Sequence, residues 1–168
     1  AGQGRFVWFD LMTTDAPAAI GFYTRLLGWG TQEWKDASMD YTMWANQGAP
    51  LGGVVQLPPE AAANGAAPHW LAYVAVEDVD RTVARAQQLG GTLVHEATDI
   101  PSVGCFAVIR DPQGAMIAVY RSLTTTDGGA AKQPAPGDIC WHELATTDHR
   151  AAFDFYANLF GWQKHDAM

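Results

Sequence analysis

Residues 7–29 and 140–162 are two copies of one segment, and this doubling constrains the fold more than any other feature of the chain. Val7-Trp8-Phe9-Asp10-Leu11-Met12-Thr13-Thr14-Asp15 leads to Phe22-Tyr23 and Gly28-Trp29; Cys140-Trp141-His142-Glu143-Leu144-Ala145-Thr146-Thr147-Asp148 leads to Phe155-Tyr156 and Gly161-Trp162. At a constant offset of 133, 12 of 23 positions are identical, where unrelated segments would agree at roughly one or two. The first copy is followed by a whole domain. The second stops six residues after Trp162.

Each copy reads as a strand feeding a helix. Phe6 to Met12 alternates, Asp15 takes the N-cap place, and Pro17 sits in the first turn, where its missing N–H is harmless. Ile20, Tyr23 and Leu27, flanked by Phe22 and Leu26, form an apolar stripe that Gly28 ends. Segments rich in β-formers at about 31–36, 39–47 and 51–57 read as three strands. After a loop at 58–68 the pattern restarts: a strand over Trp70–Val76, Asp78 as cap, a stripe of Val79, Val83, Ala86 and Leu89 closed by Gly90-Gly91, and strands at about 92–96, 104–110 and 115–121. Residues 5–57 and 70–121 are thus two βαβββ modules, offset by about 63. They make residues 1–122 one complete domain of the α+β class. Residues 123–137 read as a linker, and 138–168 as the first strand and helix of an incomplete second domain.

With 168 residues, 48% hydrophobic and 17% charged, the chain is long enough for one well-buried domain. A net charge of -8 without Lys/Arg clusters argues against a nucleic-acid partner. No apolar run approaches the length of a membrane span. The two cysteines, Cys105 and Cys140, fall in expected strands and read as small buried hydrophobes of a cytoplasmic protein.

Four motifs in order carry a family likeness: Asp15…Phe22-Tyr23…Leu27-Gly28, Asp78-Val79-Asp80…Leu89-Gly90-Gly91, Asp111-Pro112-Gln113-Gly114 before a last strand, and the paired βαβββ units themselves. Together they resemble the vicinal oxygen chelate superfamily of glyoxalase I, bleomycin- and fosfomycin-resistance proteins and extradiol dioxygenases. Pro68-His69-Trp70, the Trp8 and Trp141 strands and Ser102-Val103-Gly104 look most like tandem-domain glyoxalase-like proteins of actinobacteria. The resemblance implies a curved mixed sheet around a cleft, and a chain truncated in its second domain.

In metal-using members a divalent ion is held by side chains of the first and last strands of each module. The matching positions here are Trp8, Leu71, Trp141 and Ala118, none of which can ligate an ion. No cofactor is therefore expected in the complete domain. His142 lies one residue from such a position, but strand alternation turns it with Phe9 toward the helical layer. His95, His149 and His165 read as surface.

The same alternation assigns the cleft. Phe6, Trp8, Asp10 and Met12, then His69, Leu71 and Tyr73, then Met116, Ala118 and Tyr120 should face it, with Val54 and Gln56 added from the fourth strand; Val74, Val76, Ile117 and Val119 should face the helices. Trp8, Gln56, Leu71, Tyr73, Met116, Ala118 and Tyr120 are candidate ligand-binding residues for a small apolar or aromatic molecule, with Asp10 and His69 as candidate acid–base groups. The aromatics can equally fill the concavity as core, and His69 can simply open a strand after Pro68. An Asp10–His69 pair requires adjacent strands. The alternative function is a metal-dependent lyase, isomerase or dioxygenase whose ligands lie in the second domain or at a non-standard Asp10/His69 site; a third reading makes the first domain a scaffold for the second. Residues 138–162 carry an apolar face too large to stay bare, so they should pack on the first domain or on another chain by pairing at a sheet edge. That implies a homodimer or swapped assembly.

Overall fold

The protein is described from a computed structural model that covers residues 2–36, 39–124 and 133–165. Its described residues form two compact units, one within Ala1–Val7, Tyr73–Lys132 and His142–Met168, the other within Trp8–Ala72 and Gln133–Trp141. Much of the expected linker, residues 125–132, lies outside the described residues.

The Trp8–Ala72 unit is built from β1 (Phe6–Thr13), α1 (Ala16–Leu27), β2 (Gly30–Asp36), β3 (Met39–Asn46), β4 (Ala49–Gln56) and a short α2 (Pro59–Ala63). β1 lies parallel to β4, which continues antiparallel through β3 to β2. The other unit repeats the scheme with β5 (His69–Ala75), α3 (Val79–Gln88), β6 (Thr92–Ile100), β7 (Gly104–Arg110) and β8 (Met116–Ser122): β5 is parallel to β8, and β8, β7 and β6 are antiparallel neighbours. Each set of four strands is mixed in the same way. The α+β class and the two βαβββ modules are as expected; α2, inside the expected 58–68 loop, is an addition.

Capping explains where the helices begin. Asp15 accepts from the Ala18 N–H (2.9 Å), Asp78 from Arg81 (2.8 Å), and Asp148, before α4 (His149–Phe160), from Arg150 and Ala151 (both 3.1 Å). Gly28 and Gly161 end α1 and α4 in the left-handed region, with φ of 71° and 77°. Both copies of the opening segment therefore start and stop their helix alike.

They differ before the helix. Residues 139–146 form no strand, so Cys140 is exposed and lies outside any ladder, contrary to expectation. A strand needs a paired neighbour, and the first copy finds one in β4 of its own module. Among the described residues no strand pairs with residues 139–146.

The helix of the second copy is nevertheless well buried. Phe155, Tyr156, Leu159 and Phe160 join Val74, Val76, Val79, Val83, Ala86, Ile109, Ile117 and Val119 in one core, so α4 packs over α3 and the helix-side face of β5, β8 and β7. Packing on the first domain is thus realised through a helix layer rather than at a sheet edge. The helix-side assignment of Val74, Val76, Ile117 and Val119 holds. Phe6 does not follow its assignment: it packs against this same core, with its ring centroid 4.0 Å from His142 and 5.4 Å from Trp162. The other unit centres on Leu11, Trp29, Trp44 and Val54, covered by Ala16, Ala19, Ile20 and Tyr23 of α1. Val54 therefore faces α1, in register with Leu11, rather than the opposite face.

Candidate functional site

The face of β1 turned away from α1 carries a polar cluster. Trp8 and Asp10 lie two residues apart and so on one side of the strand. The Trp8 indole N–H donates to Asp10 Oδ1 (3.0 Å) and to the Tyr41 hydroxyl oxygen (2.8 Å), while the Tyr41 O–H donates to Asp10 Oδ1. Asp10 is only 5% exposed. Tyr41 reaches it from β3, across β4, because Gly53 stands opposite Asp10; a Cβ there would overlap the tyrosine hydroxyl. Burial, and then the neighbouring carboxylate, push the Tyr41 hydroxyl pKa far above the usual tyrosine value. At neutral pH this phenol is a hydrogen-bond donor, held against a carboxylate that also takes an indole N–H.

Asp10 accepts from Trp8 and Tyr41, and Tyr41 is not among the candidates the sequence offered. The signal was present in the Gly52-Gly53 pair, which leaves room above β4 for a large neighbour. His69 opens β5, partly buried, with Nδ1 2.8 Å from the Ala67 carbonyl oxygen. Donation from Nδ1 leaves Nε2 as the basic nitrogen of the neutral ring. Gln56 is exposed and gives its side-chain amide to the Thr14 carbonyl (2.8 Å), tying the end of β4 to the start of α1. Leu71 is buried, 6% exposed.

In the other unit the face away from α3 is aromatic. Tyr73 pairs with Ala118, Ala118 with Val108, and Val108 with His95, so one cross-strand row spans β5, β8, β7 and β6. Tyr73 and Phe106 have ring centroids 5.9 Å apart, and His95 stacks on Phe106 at 5.3 Å. Tyr120, in register with Phe106, donates to the Val103 carbonyl (3.1 Å); Met116 is half-buried and Ala118 fully buried. Phe106 and His95 were not anticipated. Extending the ladder back from the Asp111-Pro112-Gln113-Gly114 turn, which pairs Arg110 with Met116, would have placed Phe106 on this face.

The metal positions of the family can be tested on these side chains. Trp8 offers only an N–H, already donated; Leu71 and Ala118 are buried hydrocarbon. Among the described residues no three His, Cys, Asp or Glu side chains come together as an ion would require. The residues present do not fit the family's ion. Neither is any helix among them long and apolar enough to cross a membrane.

Similarity to known proteins agrees with this architecture. Residues 5–119 match the Glyoxalase/Bleomycin resistance protein/Dioxygenase superfamily. The chain is 34% identical over 161 residues to "Putative glyoxylase CFP32" of Mycobacterium tuberculosis, covering 95% of this chain and 60% of that protein. It is 32% identical over 169 residues to the anthracycline biosynthesis protein DnrV of Streptomyces peucetius, covering 94% and 61%. The chain thus spans about three fifths of the length of these relatives. Among solved structures, the Mn(II)-bound glyoxalase from Novosphingobium aromaticivorans superimposes with a TM-score of 0.66 at 18% identity, over 96% of this chain and 54% of that one. The methylmalonyl-CoA epimerase of Mycobacterium tuberculosis gives 0.52 at 18% identity, over 72% and 89%. With two βαβββ modules of identical pairing and a family match across both, the chain belongs to the glyoxalase/bleomycin resistance protein/dioxygenase superfamily.

Proposed function

We propose that this chain binds a small, largely apolar or aromatic molecule on the helix-free faces of its modules, without a family-type metal in residues 1–122. The observation that carries this reading is the use made of Trp8. A position that serves metal-using relatives as a ligand is here an indole whose N–H is donated to Asp10 and Tyr41. Tyr73, Tyr120, Met116 and Ala118, with Phe106 added, supply stacking and apolar surface; Trp8 and Leu71 are the corresponding candidates in the other unit, whereas Gln56 lies with Val54 on the α1 side of β4. Asp10 and His69 remain the candidate acid–base pair, Asp10 orienting a ligand donor and His69 Nε2 taking a proton. The Streptomyces relative named for anthracycline biosynthesis is compatible with an apolar ligand.

The second reading, a metal-dependent lyase, isomerase or dioxygenase with its ligands outside residues 1–122, is favoured by the likeness to a Mn(II)-bound glyoxalase that is nearly twice as long. A cytoplasmic setting fits the two free cysteines, Cys105 and Cys140. A homodimer or swapped assembly through residues 138–162 would use Trp141, Leu144 and Phe153, which stay exposed. Sedimentation across a dilution series tests it.

A thermal-shift screen with small aromatic and dicarbonyl compounds tests the first reading, since a ligand of the native state raises Tm. At a ligand concentration about 100 times Kd the gain is about 2.7 kcal/mol; Trp8→Ala should abolish it for a ligand held by that unit, and Tyr73→Ala for one held by the other. Stoichiometric Ni, Zn, Mn or Fe in protein purified without a His tag would overturn it in favour of the second.

A further inference from the structure

The two copies of the opening helix meet different fates, residue by residue. In α4, Phe155 is 4% exposed, Leu159 8% and Phe160 5%; their counterparts in α1, Phe22, Leu26 and Leu27, are 53%, 61% and 40% exposed. Two of the three pairs are identical and the third, Leu27 and Phe160, is apolar in both, so the difference lies in what covers them. For α4 the cover is visible. Phe155 sits over Gly91, just past α3, where an added Cβ would come within 3.2 Å of its ring; Leu159 joins Val79, Val83 and Ala86 of α3 in one core; and the Tyr156 hydroxyl donates to Asp111 Oδ2 (3.0 Å) in the turn before β8. The seat of an α1-type face is therefore an α3-type helix, the glycine pair that ends it, and a buried aspartate of the Asp-Pro-Gln-Gly turn.

α1 presents the same three elements without that seat. Phe22 and Leu26 form an outward stripe one turn apart, and Tyr23 accepts the Trp70 indole N–H (3.3 Å), which leaves its own O–H as a donor. The inward side of α1, Ala16, Ala19, Ile20 and Tyr23, already covers its own sheet.

We propose that the Phe22/Leu26 face of α1 is a docking surface for a further βαβββ module, whose α3-type helix and glycine pair seat Phe22 and Leu26 and whose turn aspartate receives the Tyr23 hydroxyl. Such a module is what α4 already finds inside this chain. The matched relatives extend beyond the matched segment by about two fifths of their length, which is room for it. The occupant is a module of the α3 type rather than a second copy of this chain, because the α3 seat of every copy is filled by its own α4.

The repeat supplies its own test. Because Trp162 aligns with Trp29, appending residues 30–122 of this sequence after Trp162 continues the second copy into a full pair of modules with a second α3 and a second Asp-Pro-Gln-Gly turn. In a Cys140→Ala background, Phe22→Cys should react with a maleimide freely in the 168-residue chain. In the extended chain it should slow by about tenfold or more, as expected for a site that must open locally before it reacts. Phe155→Cys should be protected in both. Leu26→Asp should leave the Tm of the 168-residue chain unchanged and lower that of the extended chain. An extended chain that melts cooperatively with Phe22→Cys still fully reactive overturns the proposal. So does an extended chain that shows no cooperative transition, and so does protection of Phe22→Cys in the 168-residue chain that disappears on dilution, which would make a second copy the occupant.

Discussion

Asp10 and Asp111 are both buried carboxylates, 5% and 3% exposed, and both take a tyrosine O–H, yet their surroundings differ in kind. Asp111 accepts the backbone N–H groups of Gln113 and Ala115 (both 2.9 Å) with one oxygen and Tyr156 with the other, behind the full width of α4. Its donors belong to a turn and a packed helix, which makes the arrangement a structural latch. Asp10 accepts from the side chains of Trp8 and Tyr41 on the face of β1 turned away from α1. A side-chain donor can swing to a ligand; a backbone donor cannot. The same pair of groups thus locks one module, and under the proposed function it is the pair in the other module that can turn to a ligand.

The largest expected effect comes from breaking the latch. Asp111→Ala strips three hydrogen bonds and leaves the Tyr156 hydroxyl unpaired in the core, which should destabilise the protein by about 3 kcal/mol or more in urea unfolding. A loss below about 1 kcal/mol would mean that α4 does not depend on this bond. On the other face, Gly53→Ala places a methyl where the Tyr41 hydroxyl lies. Overpacking there should cost about 1–3 kcal/mol and change Trp8 fluorescence as Tyr41 is expelled. Unchanged fluorescence and stability would show that Tyr41 does not hold this position. Tyr41→Phe should cost only about 1 kcal/mol.

Alkaline pH separates the pairs by another route. Burial first, then the adjacent carboxylate, raise the pKa of both Tyr41 and Tyr156. The folded protein thus keeps these protons where an unfolded tyrosine loses them, above about pH 10. The unfolded state binds fewer protons there, so stability is intact below that pH and falls as pH rises. Tyr156→Phe and Tyr41→Phe should each flatten that fall, and a double variant with the parent's slope would assign the alkaline loss to other groups.

What the residues reveal in advance follows the range of the forces involved. Caps at Asp15, Asp78 and Asp148 and the two helix-ending glycines act within a few residues, so they are legible directly, and with them both modules. The strand expected around Cys140 fails because a strand depends on a partner elsewhere in the chain. Alternation locates Trp8, Asp10, Tyr73 and Ala118 on their strands but cannot say that Tyr41 reaches over β4, since that depends on a register fixed by β3–β4 pairing and on the gap at Gly53. Phe6 departs from its strand's pattern because Trp162, 156 positions away, packs against it.

Phe6 also sets the smallest effect. Its ring lies on His142, and burial alone lowers the histidine pKa below the usual 6.5. A depressed histidine pKa means that the folded state favours the neutral ring, so this contact supports the fold above about pH 6.5 and weakens as the pH falls through the lowered value. In an NMR titration the His142 midpoint should lie below 6.5, and Phe6→Ala should return it toward 6.5 without disturbing Asp10, Trp8 or Tyr41. A midpoint at or above 6.5 in the parent would show that the second copy's first residues lie free of Phe6, leaving α4 alone to hold that copy in place.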